Sequence, residues 1–297
     1  MAFSQRPVRV RVPATSANLG PGYDAFGLAL GRYDEVTAEV TGSGLQVTVS
    51  GCGDGQISLD ERHLVVRSMR AAFDRLGGQP AGLRIDCLNR IPHGRGLGSS
   101  AAAIVSGILA ARALTVDGTD LLAEPLALAT ELEGHPDNVA ACLLGEFTVA
   151  WLADGVGRAV TLATHGTQPV LFIPTEQSAT HAARAALPAT VPHTDAAFNL
   201  SRSALLVLAL TGRPDLLLTA TEDRLHQDYR AAGMPASSAL VATLRRAGIA
   251  AVISGAGSSV LALAASTEQL AAAQLHCPPG WECAPLPIAA GAEVSPA

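Results

Sequence analysis

Pro92-His93-Gly94-Arg95-Gly96-Leu97-Gly98-Ser99-Ser100-Ala101-Ala102 is the stretch on which the reading of this chain turns. Three glycines alternate with larger residues, and two serines then open an apolar, alanine-rich run to Leu114. Glycine takes positive φ readily and lets a backbone approach a ligand with no Cβ in the way. A serine where a helix begins sits among free N–H groups and the positive end of the helix dipole. The stretch therefore predicts a cradle for an anion, with a nucleotide phosphate as its natural occupant. The same residues also read as a glycine-rich turn with a serine cap.

Two familiar phosphate motifs are excluded. A P-loop ends in Gly-Lys-Ser/Thr, and this chain has no lysine; its 20 basic residues are all arginine. A dinucleotide fingerprint needs Gly-x-Gly-x-x-Gly and an acidic residue about 20 positions on, whereas glycines 94, 96 and 98 lead into alanine-rich helix. Phosphate binding here must use backbone amides and serine hydroxyls.

A chain of 297 residues forms one large domain or two ordinary ones. A hydrophobic content of 48% against 15% charged residues predicts a well-filled aliphatic core. The net charge of −6 argues against nonspecific nucleic-acid binding, which needs a basic face. The five cysteines, at 52, 87, 142, 277 and 283, show no zinc spacing and read as reduced thiols. The first residues lack an apolar signal core, and the longest nearly apolar run, 101–111, is too short for a membrane span. The expectation is a cytoplasmic protein engaging neither membrane nor nucleic acid.

Along the chain, Val8, Val10 and Val12 alternate with Arg9 and Arg11 as a strand. It runs into Pro13–Asp24, a loop of small polar residues with two prolines and two glycines, in which Asn18 and Asp24 can hold a ligand or bond their own backbone. Strands are expected over 35–41 and 45–50, a helix over 64–76 with Gly77 as its C-cap, and a strand through Leu83, Ile85 and Cys87. The glycine loop thus lies between a strand and a helix. Residues 119–134 are helical in composition, ending in Glu131-Leu132-Glu133-Gly134-His135-Pro136-Asp137-Asn138. Glu131 and Glu133 point to different sides of such a helix, so one of them can face a Mg²⁺ ion beside bound phosphates. Residues 156–167 are the candidate domain boundary. Beyond it come a strand at 170–173, a helix from Thr180 through Arg184, a longer helix over 194–210, and a final alternating unit over 236–275. The polar run 223–230 reads as a solvated helix face, and the last eleven residues as a frayed tail.

Three glycine-containing loops now stand in order: Pro13–Asp24, Pro92–Ala102 and Ile253–Ser259. Together they resemble the loops of the GHMP small-molecule kinases, and the likeness covers nearly the whole chain. Ala14-Thr15-Ser16-Ala17-Asn18-Leu19-Gly20-Pro21-Gly22-Tyr23-Asp24 is the specific part. With Glu131–Asn138 and Thr180 to Arg184, it points within the superfamily to members acting on L-homoserine. The resemblance implies an α+β, two-domain fold: an ATP-binding domain over 1–160, a ferredoxin-like domain over 161–297, and the site in the cleft between them. It implies ATP-dependent phosphorylation of the L-homoserine hydroxyl, a step toward threonine, and admits a homodimer, although no exposed apolar stripe is evident in the sequence.

Carried over residue by residue, the resemblance gives Asn18 and Asp24 the substrate amino group and hydroxyl end. His135 and Asn138 line the same pocket, and Asp24 and Asn138 orient the reacting hydroxyl. Arg184 and Arg230 take the substrate carboxylate, a bidentate task suited to guanidinium, with Thr180 beside them. Pro92 to Ala102 form the nucleotide loop, with Gly94 to Ser100 around the triphosphate and His63 near the adenine. Ser100 and Glu131 hold Mg²⁺, with Glu133 as the alternative if the register before His135 has shifted. Three positions depart from the pattern: His63, where asparagine is frequent, and Ser258 and Asp228, where proline is usual. Asp228 is expected to weaken carboxylate binding by like charge. Because no lysine can pair with an aspartate, no strong side-chain base is expected. The rival readings are a GHMP kinase for another small alcohol and a non-catalytic binding module of the same fold.

Overall fold

A computed structural model describes residues 2–116, 125–175 and 180–297. In chain order it runs β1 (Val8–Ala17), β2 (Phe26–Thr41), β3 (Gly44–Gly51), α1 (Leu64–Leu76), β4 (Gly82–Asn89), α2 (Ser99–Leu114), α3 (Pro125–Glu133), α4 (Asp137–Leu144), β5 (Phe147–Ala153) and β6 (Val156–Leu162). The second half runs β7 (Gln168–Ile173), α5 (Thr180–Ala185), α6 (His193–Thr211), α7 (Leu217–Ala220), α8 (Gln227–Arg230), α9 (Pro235–Arg246), β8 (Ala250–Ile253), β9 (Val260–Ala264), α10 (Thr267–Gln274), β10 (Glu282–Pro285) and β11 (Glu293–Pro296).

The first sheet has the order β11-β1-β2-β4-β3, with the β5–β6 hairpin attached to β2. β2 and β3, joined by a short glycine-rich link, are not neighbours, because β4 lies between them, antiparallel to one and parallel to the other. The link crosses directly over Gly82, where a Cβ would meet the Ser43 carbonyl carbon at 2.4 Å. Only glycine admits that crossover. α1 buries Val65, Val66, Met69, Ala72, Phe73 and Leu76, and ends at Gly77 with φ 96°, as the sequence spacing predicts. α2 is apolar on nearly every side because it is covered nearly all round, by β1, α1, α3 and α4. Its Gly107 lets α1 approach, since a Cβ there would lie 2.5 Å from the Val65 carbonyl oxygen.

The second sheet has the order β10-β7-β9-β8, all antiparallel. Read as strands one to four of this half, the order is 4-1-3-2, the ferredoxin-like split β-α-β arrangement expected. One face packs with α9 and α10; the other shares a continuous apolar core with the first sheet through Leu171, Val252 and Leu206.

Several expectations are corrected. Residues 13–17 stay in β1 instead of entering a loop. Residues 156–162 form β6, so the division expected after residue 160 falls inside a strand. Part of the helix expected from residue 119 lies outside the described residues, and α3 begins at Pro125. The supposed frayed tail is a clasp: Ile288 bridges Leu30, Ala290 bridges Gly145, and β11 pairs with β1. Gly145 makes this contact so closely that a Cβ would sit 2.1 Å from the Gly291 nitrogen. On α6, Leu200, Ala204 and Leu208 stand exposed about one turn apart, an apolar stripe not evident from the sequence. Among the described residues no helix is long and apolar enough to cross a membrane.

Because the clasp closes the first sheet from the far end of the chain, deleting residues 286–297 should lower the thermal midpoint by more than about 5 °C. Scanning calorimetry of the truncated chain checks this; an unchanged midpoint would show the tail to be passive.

Candidate active site

The glycine loop is built by alternation. Gly94, Gly96 and Gly98 take φ of 66°, 70° and 69°, while Arg95 and Leu97 between them do not enter the positive region. Alternating hands turn successive N–H groups toward one side, the geometry of an anion nest. α2 follows at once, with Gly98 as N-cap, no side-chain cap and no acid in its first turn. The positive helix end is left for a ligand.

Both sheets hold this loop. Leu97 O accepts from Thr15 N at 3.0 Å, and Arg95 O from Ser259 N at 3.2 Å. The Ser254 hydroxyl donates to Gly96 O at 2.7 Å and lies 2.8 Å from Ser16 Oγ. A Cβ on Gly98 would be 1.9 Å from Thr15 Oγ1, and one on Gly96 would be 2.1 Å from Ser254 O. The third glycine loop therefore packs against the first two, and Asn18 joins them: its Nδ2 donates to Gly255 O (2.9 Å) and its Oδ1 accepts from Asp24 N (3.0 Å). Asn18 also takes a positive φ, 69°, so it shapes the loop as well as facing the cavity.

One cavity gathers Asn18, Asp24, His135, Asn138, Arg184 and Arg230 with the loop residues Gly94, Gly96, Leu97, Gly98, Ser99 and Ser100. Asp24 forms a two-pronged ion pair with Arg184, 3.0 Å on each side. Arg230 is 4% exposed and has no carboxylate partner among the described residues. Its Nε donates to Ala183 O at 3.0 Å, and its Nη1 lies 3.1 Å from His226 Nδ1. His135 Nδ1 is 2.7 Å from Asp137 Oδ1, and this bond is the main reason that its proton affinity rises above the usual imidazole value. Asn138 Oδ1 accepts from the Thr15 hydroxyl at 2.8 Å. Thr180 opens α5, and its side chain lies outside the described residues.

Glu131 is corrected. It turns outward, 61% exposed, and pairs with Arg75 at 2.6 Å. Glu133, two residues on and hence on another side of α3, accepts from Ser100 Oγ at 2.6 Å and lines the cavity. Burial pushes its carboxyl up, and the Ser100 and His135 contacts pull it back. The facing pair of hard oxygen donors suits Mg²⁺, which takes few protein ligands. Among the described residues no three His, Cys, Asp or Glu side chains cluster as a metal cage.

Arg95 also departs from expectation. Its guanidinium turns away from the cavity and donates to the carbonyls of His93, Pro174 and Thr175, tying the glycine loop to the end of β7. Pro92, like Arg95, borders a neighbouring surface groove, and Ala101 is buried beneath the loop. His63 and Ala102 line a second cavity that shares Gly94, Ser99 and Ser100 with the first. Its walls include Val36, Ile57, Leu64 and Ala103, and His63 Nδ1 is buried there without a hydrogen-bond partner. An apolar slot with one unsatisfied polar atom fits a heterocyclic base. Asp228 is exposed on α8 and does not line the cavity, so no like charge faces the arginines from there.

The run 223–230 is not a solvated face. His226 is fully buried, its Nε2 2.7 Å from Gly20 O. The Asp223 carboxylate is sealed from solvent and caps the backbone N–H groups of Leu225, His226 and Gln227. Tyr23 lies against both guanidiniums, with ring-centroid distances of 5.9 Å to Arg184 and 5.6 Å to Arg230. Thr15, Tyr23, Asp137, His226 and Ser254 are thus site residues that no role was expected for. The first two stand in the first of the three glycine-containing loops, and the density of polar groups at 223–230 was the available signal for His226.

Two adjoining cavities meet at an uncapped helix end, one an apolar slot and the other lined by two arginines. The fold and this site define a nucleotide-dependent small-molecule kinase of the GHMP type. The family models for the GHMP kinases N terminal domain and the GHMP kinases C terminal match residues 63–146 and 205–278. The homoserine kinase of Streptomyces coelicolor is 61% identical over 89% of this chain and 86% of its own length. That of Streptomyces avermitilis is 58% identical over 99% and 98%. The crystal structure of homoserine kinase from Cytophaga hutchinsonii superposes with a TM-score of 0.86 at 26% identity, covering 99% of both chains. The chain belongs to the homoserine kinase family of the GHMP kinases.

Burial lowers the proton affinity of His226, an effect that Asp223 opposes and Arg230 reinforces. Burial and His93 lower that of His63. Below the ordinary imidazole value of 6.5, the unfolded chain then binds protons that the folded chain refuses. The share of stability from these two histidines should be full above that pH and fall as the pH drops below it, opposed by His135, whose raised proton affinity adds stability as the pH falls. Urea unfolding at about pH 7.5 and about pH 5.5 measures the loss, and His226→Gln should shrink it while leaving the His63 share. An acid loss of the same size in that variant would remove His226 from the account.

Proposed function

We infer that this chain transfers the γ-phosphoryl group of ATP to the side-chain hydroxyl of L-homoserine, giving O-phospho-L-homoserine and ADP. Arg230 carries the reading: a buried guanidinium, unpaired with any carboxylate among the described residues, lines the same cavity as the glycine loop. An isolated buried charge costs on the order of several kcal/mol. An acceptor substrate bearing a carboxylate removes that cost, and Arg184 supplies the second guanidinium.

In this reading the nucleotide base lies in the slot lined by His63, and the triphosphate crosses the nest of Gly94 to Ser100 at the start of α2. Ser100 and Glu133 would hold the accompanying Mg²⁺, which supplies charge neutralisation on the phosphate oxygens. The substrate carboxylate displaces Asp24 from Arg184, and Asp24 turns to the substrate ammonium and hydroxyl. Asn138, fixed by Thr15, and His135, fixed by Asp137, complete the wall that aims the hydroxyl. Phosphoryl transfer through a loose transition state depends chiefly on such positioning and on charge neutralisation. With no lysine to pair with Asp24, the hydroxyl is oriented, and its proton leaves late to an oxygen of the transferred phosphoryl group. The setting is cytoplasmic, and the partners are two small solutes, with neither nucleic acid nor membrane engaged.

An ADP-release assay with MgATP and a panel of L-homoserine, L-serine, L-threonine, mevalonate and galactose tests the function. L-homoserine alone should turn over rapidly, and Arg184→Ala should raise its KM by roughly 10²-fold. Preferred turnover of another alcohol would overturn the substrate assignment.

The two glutamates separate in the same assay. Glu133→Gln should lower kcat by about 10²- to 10³-fold, as loss of a group acting on transition-state charge does. Glu131→Gln should leave kcat within about twofold, since its partner is a surface arginine. The reverse pattern would restore Glu131 to the metal.

A further inference from the structure

His226 lines neither of the two cavities above and has no place in the chemistry described, yet hydrogen bonds hold both its ring nitrogens. Its ring is fully buried. Nε2 lies 2.7 Å from Gly20 O, and a carbonyl can only accept, so Nε2 carries the hydrogen. Hydrogen-bond geometry thereby assigns a lone pair to Nδ1, which must accept from Arg230 Nη1 at 3.1 Å. The imidazole is a neutral bridge from the backbone of the first loop to the guanidinium.

That bridge determines how Arg230 is aimed. Nε is held by Ala183 O, and Nη1 by His226 and, at 3.4 Å, by Gly255 O. Nη2 has no partner among the described residues, and Arg230 lines the cavity. The ring is itself braced. Asp223 caps the turn that carries it, Asn199 on α6 ties Asp223 to the first loop through Pro21 O, and the Tyr23 ring packs 5.5 Å from the imidazole at a tilt of 40°. Of the two contacts on Nη1 the Nδ1 bond is the shorter, so His226 fixes the end of the guanidinium that the Gly255 carbonyl holds only weakly.

We propose that His226 is a positioning residue for substrate selection: it aims Arg230 at the acceptor carboxylate and so sets the preference for an amino acid over the same amino alcohol without a carboxylate. The inference rests on the reading that Arg230 receives that carboxylate. Its chemical signature is selective. Loss of the Nδ1 acceptor weakens ligands that carry the carboxylate and leaves those that lack it untouched.

The test uses His226→Leu, which removes the acceptor, and His226→Asn, whose Oδ1 stands near the Nδ1 position. L-homoserine is followed as substrate, and 3-aminopropan-1-ol, the same skeleton without its carboxylate, as a competitive inhibitor. His226→Leu should raise the KM for L-homoserine about tenfold to a hundredfold, the usual range for a charge-assisted hydrogen bond. The KM for ATP and the inhibition constant of 3-aminopropan-1-ol should stay within about twofold, and His226→Asn should recover most of the loss. In an Arg230→Ala background, His226→Leu should add nothing further. Equal weakening of both ligands, a parallel rise in the KM for ATP, or an additive loss in the double variant would overturn the proposal in favour of a merely structural histidine. Should the leucine variant fail to fold, His226→Gln is measured in its place against the same outcomes. An Arg230→Ala variant with an unchanged KM for L-homoserine would instead sink the carboxylate reading itself, so the two failures are distinguishable.

Discussion

Backbone must come within contact distance of backbone at the glycine loop, and the rest of the molecule is arranged to permit it. Gly98 lies under Thr15 and Gly96 under Ser254 with no room for a side chain. One of these neighbours belongs to β1 of the first sheet and the other follows β8 of the second. The loop is therefore a wedge between the two halves, and its shape exists only when both are folded against it. The shared apolar core that runs from Leu28 and Ile108 to Leu171 and Val252 supplies the force that holds the wedge closed. Hydrogen bonds from Thr15, Ser254 and Ser259 fix its register.

A second constraint is electrostatic. A site for a triphosphate beside a carboxylate needs concentrated positive charge, yet this acidic chain has no lysine. Backbone amides and the α2 terminus carry much of the burden, since they add positive potential without a mobile ion. The two arginines that remain are stabilised by different means. Arg184, half exposed, borrows Asp24. Arg230, buried, is surrounded by carbonyl oxygens, an imidazole lone pair and the face of Tyr23. None of these groups competes as strongly as a carboxylate would, so the charge stays available to a ligand anion.

What the sequence disclosed and what it hid follow from the same physics. The glycine loop and α1 with its Gly77 cap were legible because local spacing determines them, whereas the ferredoxin-like half was expected only from the resemblance of the three loops. β2, β5 and β6 were missed or shortened because a strand's extent depends on its neighbours, and those pair across long separations. The tail at 286–297 has little local signal; it is ordered by partners more than 140 residues away. Glu131 and Glu133 were separable in principle, but their phase on α3 depends on where the helix starts, and that boundary was not readable. The stretch 223–230 misled for a different reason. Charge density in a sequence normally marks solvent, and here Arg224 and Asp228 obey that rule while Asp223, His226 and Arg230 turn inward.

That last case bears on how such a site keeps its specificity. Discrimination by a buried polar group is strong because the wrong ligand leaves the group unpaired. Strength of this kind requires the group to be immobile, since a guanidinium free to turn would find water or a carbonyl instead. Asn199, Asp223 and His226 form a chain of short contacts that ends on Arg230 and begins in the packed body of α6. Arg184 has no such chain among the described residues; it leans on Asp24, a partly buried partner that the proposed substrate would displace. The two guanidiniums that line the cavity therefore differ in kind. In the proposed reading Arg230 is the fixed member that sets the geometry, while Arg184 would exchange Asp24 for the substrate carboxylate and so couple substrate arrival to the release of Asp24.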